Sequence, residues 1–207
     1  MPRRPQVVAP EGHRGPVAER LFLVGMMGAG KSVVGRSVAK TLGWSFVDTD
    51  EEVRRVTGQS VSEIFGSGGE ERFRKEESRA LLASLGGNAP AVVSVGGGAV
   101  LVPENLAMMK RSGRVVWLRA RPETLAERVR GGAGRPLLAG EDATRSQKDR
   151  VLESLAGIEA ERRVLYLEVA DSVVDVDGMS VQDVVARVVE LARAGGQARA
   201  SEGKTQR

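Results

Sequence analysis

One segment of the sequence has the residue types and spacing of a loop that binds nucleotide phosphates. Residues 25–32 read Gly-Met-Met-Gly-Ala-Gly-Lys-Ser and match the pattern G-x-x-x-x-G-K-[ST]. An apolar strand, residues 21–24, precedes the segment and a helical pattern follows it, which is the context that the motif requires. Backbone N–H groups of such a loop bind phosphate oxygens at a helix N-terminus. The motif predicts nucleotide binding, but it does not separate a kinase from a switch GTPase or an ATPase.

Two carboxylates follow the second predicted strand. Asp48 and Asp50 come directly after Ser45-Phe46-Val47. In a parallel α/β sheet this is the edge where ligands bind, next to the phosphate loop. One carboxylate can hold the shell of a Mg²⁺ ion while the other accepts a hydroxyl proton. The alternative is a helix start, in which Asp50 and the acidic residues after it cap a helix.

Two arginines are candidates for binding an anion. Arg74 and Glu77 are three residues apart on a predicted helix, so the carboxylate can orient the guanidinium toward a planar anion. The alternative is an ordinary surface ion pair. Arg162 shares a predicted apolar helix face with Leu155 and Leu165. An arginine in that position needs a partner, either an internal acid or a bound anion.

Two glycine-rich stretches are also candidates for the site. Residues 96–98 are three glycines after an apolar strand, which suggests close approach of a ligand to the backbone, whereas the alternative is a flexible turn. P-loop proteins often have a metal-binding aspartate at the end of such a strand, but none is present here. We therefore assign the metal-binding role to Asp48 on the second strand. Arg128 and Arg135 flank the glycines of residues 131–134, a pattern that fits a lid closing over phosphates or, alternatively, a solvated loop.

The elements that position these residues alternate between strands and helices along the chain. This alternation predicts an α/β protein whose parallel sheet is covered on both faces. We expect one domain at residues 20–194, a disordered basic leader at residues 1–19, and a disordered tail at residues 195–207, because both ends lack periodicity.

Composition excludes several classes of function. The 207 residues include no cysteine and one histidine, which excludes disulfides, thiolate zinc sites and a histidine-based triad. Of the net charge of +4, residues 1–19 contribute +1 and residues 195–207 contribute +2, so the domain has almost no basic excess for nucleic acid. No apolar run is long enough to span a membrane, and no secretory signal is recognisable. We therefore expect a cytoplasmic monomer that binds neither nucleic acid nor membranes.

Together, these features resemble those of the shikimate kinase family. The matching elements, in family order, are residues 25–32, Asp48-x-Asp50, Phe73-Arg74-x-x-Glu77, residues 96–100, residues 135–138 and Arg162-x-x-Leu165-Tyr166. The phosphate loop is shared by many families, whereas the other five elements are specific in combination.

The resemblance implies a three-layer P-loop kinase fold with a five-stranded parallel sheet, a helical substrate-binding segment and a mobile lid at about residues 130–142. It implies that the γ-phosphoryl group of ATP is transferred to the 3-hydroxyl of shikimate, in the pathway to chorismate and the aromatic amino acids. Mg²⁺ is the implied cofactor, and ATP and shikimate are the implied small-molecule partners.

The family's functional residues are carried over position by position. The implied catalytic residues are Lys31, Asp50 and Arg135. The implied ATP-binding residues are Gly28, Ala29, Gly30, Lys31, Ser32, Val33, Arg128 and Arg135. The implied shikimate-binding residues are Asp50, Arg74, Gly97 and Arg162, with Phe65, Phe73 and Glu77 around the pocket. Ser32 and, through water, Asp48 are the implied holders of Mg²⁺.

Three features depart from the family pattern. The lid has unusually many glycines, and the stretch from Leu138 to Arg162 is longer than expected. Met179 and its neighbours stand where a proline is expected beside the adenine, which puts the adenine contacts in doubt. The alternatives are a gluconate or nucleoside monophosphate kinase, which would not need two arginines for a carboxylate, and a regulatory nucleotide-binding module without catalysis.

Overall fold

A five-stranded parallel sheet with the strand order β2-β3-β1-β4-β5 forms the centre of the molecule. The computed structural model describes residues 20–87, 90–129 and 147–202. The strands are β1 Arg20–Val24, β2 Ser45–Asp48, β3 Ala91–Ser94, β4 Arg114–Arg119 and β5 Ser172–Asp175. The predicted five-stranded parallel sheet is confirmed.

The central strands are continuous apolar runs because both faces of the sheet are covered. Phe22, Val93 and Leu118 are fully buried, and Trp117 is nearly so. The helices are α1 Lys31–Leu42, α2 Thr49–Thr57, α3 Val61–Gly86, α4 Pro103–Ser112, α5 Pro122–Val129, α6 Gln147–Val169 and α7 Val181–Glu202, with a 3₁₀ turn at Ala99–Leu101. Helices α1 and α7 pack together against the sheet, as do α4 and α6, which gives three layers.

The register of the sheet brings the predicted site residues to one edge. Ser94 at the end of β3 is level with Asp48 at the end of β2 and with Leu23 near the end of β1. The phosphate loop, the Asp48 to Asp50 segment and residues 96–98 follow these three strand ends directly. Parallel strands with this register therefore bring together residues that lie far apart in the sequence.

Helices α2 and α3 form the expected helical segment beside the sheet. A second, smaller core holds them together and consists of Val53, Ile64, Phe73 and Ala80, with Val61 and Phe65 packed against it. Helix α3 is broken at Gly69, which has a φ of 69° and a ψ of −174°. The break changes the direction of the helix before Phe73, so α3 consists of two helical segments.

The last helix extends further than the sequence boundary. Helix α7 continues to Glu202, whereas the tail was expected to begin at residue 195. Residues 197–200, Gln-Ala-Arg-Ala, have high helix propensity, which accounts for the continuation past two glycines. Residues 1–19 and 203–207 and the proposed lid, including Arg135, lie outside the described residues. Among the helices that are described, none combines the length and hydropathy needed for a membrane span.

Candidate active site

The phosphate loop, residues 25–32, turns tightly from β1 into α1. Gly30 precedes the helix with a φ of 93°, a conformation that residues with a side chain rarely adopt. At Gly25, a Cβ atom would lie 2.4 Å from the carbonyl oxygen of Leu118, so only glycine fits against the end of β4. The glycines thus serve both the turn and the close packing of the loop against the sheet.

The lysine of the motif lies across this loop. Lys31 is the first residue of α1, and its Nζ donates to the carbonyl oxygens of Gly25 at 2.8 Å and Met26 at 3.0 Å. These two bonds hold the ammonium group beside the backbone N–H groups at the start of the helix. The loop therefore presents a cation and a helix N-terminus together, which is an arrangement that binds phosphate.

Asp48 links the phosphate loop to helix α2 through its two carboxylate oxygens. The hydroxyl of Ser32 donates to Oδ2 at 2.5 Å, and the Ser94 hydroxyl lies 3.4 Å from that of Ser32. Oδ1 accepts the N–H groups of Asp50 at 3.1 Å and Glu51 at 3.4 Å, so Asp48 is the N-cap of α2. The helix-start alternative is therefore correct for this segment, but Asp48 is the cap and Asp50 belongs to the first turn.

The oxygen donors at this edge fit a magnesium ion. Ser32 and Asp48 supply a hydroxyl and a carboxylate, which are hard ligands of the kind that Mg²⁺ prefers. Within residues 20–87, 90–129 and 147–202, no cluster of three or more metal-ligating side chains is present. Mg²⁺ in kinases usually binds one or two protein oxygens and completes its shell with phosphate and water, so the donor set is sufficient.

Asp50 and Glu77 meet at Gly96. A Cβ atom on Gly96 would lie 2.1 Å from Glu77 Oε1 and 2.6 Å from Asp50 Oδ1, so both carboxylates approach the same point of the glycine backbone. Glu77 is almost fully buried, with 1% of its surface exposed, whereas Asp50 is half-buried and lines a cavity. The sequence predicted a role for Glu77 beside Arg74 but did not predict its approach to Asp50.

Burial raises the pKa of Glu77 to about 7. The charge of Arg74 and its hydrogen bond oppose this effect, while the negative charge of Asp50 adds to it, and the charge of Arg162 lowers the pKa slightly. The carboxyl group therefore titrates near neutral pH in the folded protein.

We expect the raised pKa of Glu77 to give the protein a measurable pH dependence of stability. Between about pH 4.5 and about pH 7 the folded state holds a proton that the unfolded state has lost. The free energy of unfolding should thus decrease as pH rises through this interval, with a slope of up to about 1.4 kcal/mol per pH unit from this group. Urea unfolding of the wild type and of Glu77→Gln between pH 5 and pH 8 measures the effect.

The glutamine variant is the control because it keeps the shape of the side chain and cannot titrate. Its stability relative to the wild type should increase with pH across the interval. Parallel pH profiles for the two proteins would contradict the raised pKa.

Arg74 forms the predicted pair with Glu77 and a second pair with Glu70. The Arg74 Nη1 to Glu77 Oε2 distance is 2.7 Å, and Nη2 lies 2.9 Å from Glu70 Oε1. A Cβ atom on Gly98 would overlap the Arg74 guanidinium, at 1.9 Å from Nη1. The glycines of residues 96–98 therefore leave space for the carboxylates and the arginine of the site, which the flexible-turn alternative does not explain.

Arg162 is a buried arginine whose main contact is a backbone carbonyl. Only 5% of its surface is exposed, and its Nη1 donates to the Gly97 carbonyl oxygen at 3.1 Å. The Tyr166 hydroxyl donates to the same oxygen at 2.7 Å. The buried Nε of Arg162 has no hydrogen-bond partner, and no carboxylate forms an ion pair with this residue within the described part of the chain. Of the two alternatives, an internal acid paired directly with Arg162 is not found among the described residues, although the charge of Arg162 acts on the buried Glu77.

These residues surround one cavity of about 750 Å³. The predicted site residues that line it are Gly28, Ala29, Gly30, Lys31, Ser32, Val33, Asp50, Phe65, Phe73, Arg74, Glu77, Gly97, Arg128 and Arg162. The phosphate loop forms one part of the wall, and the two arginines with Asp50 form another. Asp48 lies just behind the wall, bonded to Ser32.

Comparison with known proteins identifies the family. A family model described as shikimate kinase matches residues 27–193, which is most of the chain. The chain belongs to the shikimate kinase family. A curated shikimate kinase of Symbiobacterium thermophilum is 42% identical over 172 residues, which are 82% of this chain and 94% of the relative.

Two solved shikimate kinases have the same fold. The enzyme from Acinetobacter baumannii, determined in complex with shikimate, has a TM-score of 0.78 and 32% identity, covering 86% of this chain and 94% of its own. The enzyme from Bacteroides thetaiotaomicron has a TM-score of 0.75 and 29% identity, covering 84% and 98%. The family supports the expected kinase activity, ATP binding and a role in aromatic amino-acid biosynthesis.

The part of the cavity near Arg128 differs from the family pattern in its side chains. Arg128 Nη2 donates to the Val176 carbonyl oxygen at 3.3 Å, and Arg128 lines the cavity as expected. Met179 and Val181 line the same part, where a proline was expected. The adenine position beside Arg128 stays a prediction.

Sequence reasoning missed several residues of the cavity wall. They share no motif and come from separate parts of the chain: Arg54, Ser60, Val61, Ser62, Ser94, Val176, Val181 and Val184. Ser94 could have been predicted, because it ends β3, the strand that lacks the expected metal-binding aspartate. The others depend on the packing of α2, α3 and α7, for which the sequence carries no local signal.

Proposed function

We propose that the protein transfers the γ-phosphoryl group of ATP to the 3-hydroxyl of shikimate, which yields shikimate 3-phosphate and ADP for the biosynthesis of chorismate. The observation that carries the proposal is the arrangement of Arg74, Arg162 and Asp50 in the same cavity as the phosphate loop. A small carboxylate substrate with hydroxyl groups matches two guanidinium groups and one carboxylate.

The acceptor half of the cavity fits such a substrate. Arg74 is oriented by Glu77 and Glu70, and Arg162 carries a buried Nε–H without a partner among the described residues. Both guanidinium groups lie against the backbone of residues 97–98. We propose that they bind the substrate carboxylate, that the Gly97 backbone contacts the substrate, and that Phe65 and Phe73 enclose its ring.

Asp50 is the proposed base. Its carboxylate lines the cavity in the first turn of α2, two positions after Asp48. In this position it can orient the substrate hydroxyls and accept the proton of the hydroxyl that receives the phosphoryl group. The buried Glu77 beside Gly96 keeps Arg74 in place and, when ionised, adds negative charge near Asp50.

The phosphate half orients ATP. The backbone of residues 28–33 and Lys31 would bind the phosphates, while Ser32 and, through water, Asp48 would hold Mg²⁺, which neutralises the charge that develops on the phosphoryl oxygens. Arg135 remains a proposed catalytic residue on a lid that lies outside the described residues. Arg128 is the proposed neighbour of the adenine.

The site is built from one chain, so we propose that the active form is a monomer. The phosphate loop, Asp50, Arg74 and Arg162 of a single chain form both the phosphate half and the acceptor half of the cavity. Because its co-substrate would be ATP, we place the reaction in the cytoplasm.

An acceptor panel tests the proposed function. ADP release should be measured with ATP and Mg²⁺ in the presence of shikimate, gluconate or AMP. We expect turnover with shikimate alone. Gluconate carries its carboxylate on an open chain and AMP has no carboxylate, so neither presents a ring-bound carboxylate to both arginines. Preferred turnover of gluconate or AMP would assign the chain to another small-molecule kinase, and ATP binding without turnover of any acceptor would favour the regulatory module.

Replacing Arg162 by leucine should weaken shikimate binding without weakening the fold. The variant loses a charge-assisted contact to the carboxylate, which is worth about 1.5–3 kcal/mol and thus roughly tenfold to hundredfold in affinity. It also removes a buried cation that has no acidic partner among the residues described, while Tyr166 still donates to the Gly97 carbonyl. Calorimetric titration with shikimate and a thermal melt measure the two effects.

Arg74→Leu is the matched comparison at pH 8. It should also weaken shikimate binding, but it leaves Glu77 buried without its partner and should cost about 3–5 kcal/mol of stability. If Arg162→Leu melts as early as Arg74→Leu and binds shikimate normally, then Arg162 has a structural role instead.

A further inference from the structure

The backbone of residues 96–99 contacts both halves of the site. Gly96 faces the carboxylates of Asp50 and Glu77, and Gly98 faces the guanidinium of Arg74. A Cβ atom on Gly97 would lie 3.3 Å from the Gly25 carbonyl oxygen, so this residue also abuts the phosphate loop. A small displacement of the segment would therefore change the position of the acceptor groups relative to the phosphates.

Three side chains from three different helices hold this segment by hydrogen bonds. The Thr49 hydroxyl accepts the N–H of Gly96 at 2.9 Å, the Tyr166 hydroxyl donates to the Gly97 carbonyl at 2.7 Å, and the Asn105 amide donates to the Ala99 carbonyl at 3.0 Å. All three side chains are at most 1% exposed. None of them lines the cavity, so none is placed to touch a substrate.

Each of these side chains is also tied to another part of the site. Thr49 stands between Asp48 and Asp50 at the start of α2, so its bond to Gly96 joins the two carboxylates to the glycine segment. Tyr166 shares its acceptor with Arg162. Asn105 donates to Ser78 Oγ, which follows Glu77 directly in α3. The three bonds connect α2, α4 and α6 through one backbone segment, and the bond from Asn105 to Ser78 adds α3.

One of these buried side chains carries a polar atom that costs free energy of unfolding. The Oδ1 atom of Asn105 is buried and has no hydrogen-bond partner among the described residues. An apolar residue of similar volume would avoid the cost of that unsatisfied oxygen. Burial also raises the pKa of Tyr166, so its hydroxyl stays protonated and remains a donor to Gly97 at all ordinary pH values.

We propose that Thr49, Tyr166 and Asn105 are positioning residues that fix the glycine segment, and through it the groups that bind the phosphoryl acceptor. The inference rests on the proposed phosphorylation of shikimate. It assigns these residues to acceptor binding and not to ATP binding, because their bonds to backbone groups all end at residues 96–99. Tyr166 also approaches the phosphate loop, but through a weak contact of its hydroxyl with Met26 Sδ at 3.9 Å.

Thr49→Val and Thr49→Ser form the first test. Valine keeps the shape of threonine but leaves the buried Gly96 N–H without an acceptor, whereas serine keeps the hydroxyl. We expect the valine variant to raise both the dissociation constant and the KM for shikimate about tenfold to hundredfold. The values for ATP should stay within about twofold, and serine should restore shikimate binding to near the wild-type value.

Ser84→Ala is the matched control for the valine variant. Ser84 is another buried helical hydroxyl, and it donates to the Leu81 carbonyl at 2.6 Å, away from the cavity. Its loss should lower the melting temperature slightly and leave shikimate binding unchanged. This control separates the loss of a buried hydrogen bond in general from the loss of one that holds the glycine segment.

Tyr166→Phe is the second test and does not depend on the folding of the Thr49 variants. The ring stacks on Trp117 at a centroid distance of 5.4 Å, and phenylalanine keeps that contact. The substitution removes the bond to Gly97 and the weaker contact with Met26 Sδ. We expect a several-fold weaker affinity for shikimate, a much smaller change in the affinity for ATP and a nearly unchanged melting temperature.

The outcomes distinguish this inference from the proposed function. A wild-type protein that neither binds nor phosphorylates shikimate would overturn both, whereas the inference alone fails if the wild type is active and shikimate binding is unchanged in Thr49→Val and Tyr166→Phe. Equal weakening of shikimate and ATP binding would also overturn it, because that result indicates a general structural role. Selective weakening of shikimate binding with rescue by serine supports it.

Discussion

Lys31→Ala should reduce turnover by at least ~10³-fold while the protein remains folded. The ammonium group lies across the phosphate loop, where it bonds the carbonyl oxygens of Gly25 and Met26. In phosphoryl transfer, catalysis depends almost entirely on positioning and charge stabilisation, so loss of this cation removes a contact that strengthens as charge develops. ADP release with ATP, Mg²⁺ and shikimate measures the loss, and a thermal melt reports on the fold.

Lys40→Ala is the control for this experiment. Lys40 lies in the last turn of the same helix and is exposed, so its removal changes the net charge equally without touching the loop. Its activity should match the wild type. Substantial residual activity in Lys31→Ala, with normal activity in Lys40→Ala, would refute the role of the loop in phosphoryl transfer.

Asp50→Asn should lower kcat by ~10²–10⁴-fold, with little change in the affinity for ATP. Asparagine has the same shape as aspartate and can still bind a hydroxyl, but it cannot accept a proton. Asp50 is in the first turn of α2, and Asp48, not Asp50, caps that helix, so the substitution should leave the helix intact. Steady-state kinetics and calorimetric titration with ATP separate the two quantities.

Asp48→Asn tests the division of work between the two carboxylates. Asp48 bonds the Ser32 hydroxyl, so its replacement should raise the Mg²⁺ concentration needed for half-maximal activity. Asp50→Asn should not shift that concentration. If both variants respond identically to Mg²⁺, the proposed separation of a metal-binding residue from a proton acceptor is wrong.

Local patterns in the sequence were enough to predict several parts of the site. The phosphate loop was predictable because its glycines, lysine and serine act within eight consecutive residues. The pair of Arg74 and Glu77 was predictable because residues three apart on a helix share a face. The burial of Arg162 followed from helical spacing alone, since it shares a stripe with Leu155, which is fully buried.

Other features could not be read from any local pattern. The break of α3 occurs at the positive φ of Gly69, a conformation that glycine permits but that the presence of a glycine does not predict. The helical continuation of α7 to Glu202 was missed because two glycines indicated an end. The partner of Arg162 is a carbonyl oxygen 65 positions away, and backbone acceptors leave no mark in the sequence.

By itself, the sequence determined that the chain has an α/β fold, a phosphate loop and a set of charged residues typical of shikimate kinases. Only the tertiary structure decided how those residues share the space around Gly96. Asp50 and Glu77 belong to different helices and approach the same glycine. Burial raises the pKa of Glu77, and the negative charge of Asp50 adds to the effect, so the shift depends on how the helices pack. The bonds of Thr49, Tyr166 and Asn105 to one backbone segment likewise arise only when three helices pack around the ends of parallel strands. Periodicity specifies which face of an element is buried, but the groups that meet there are specified by packing.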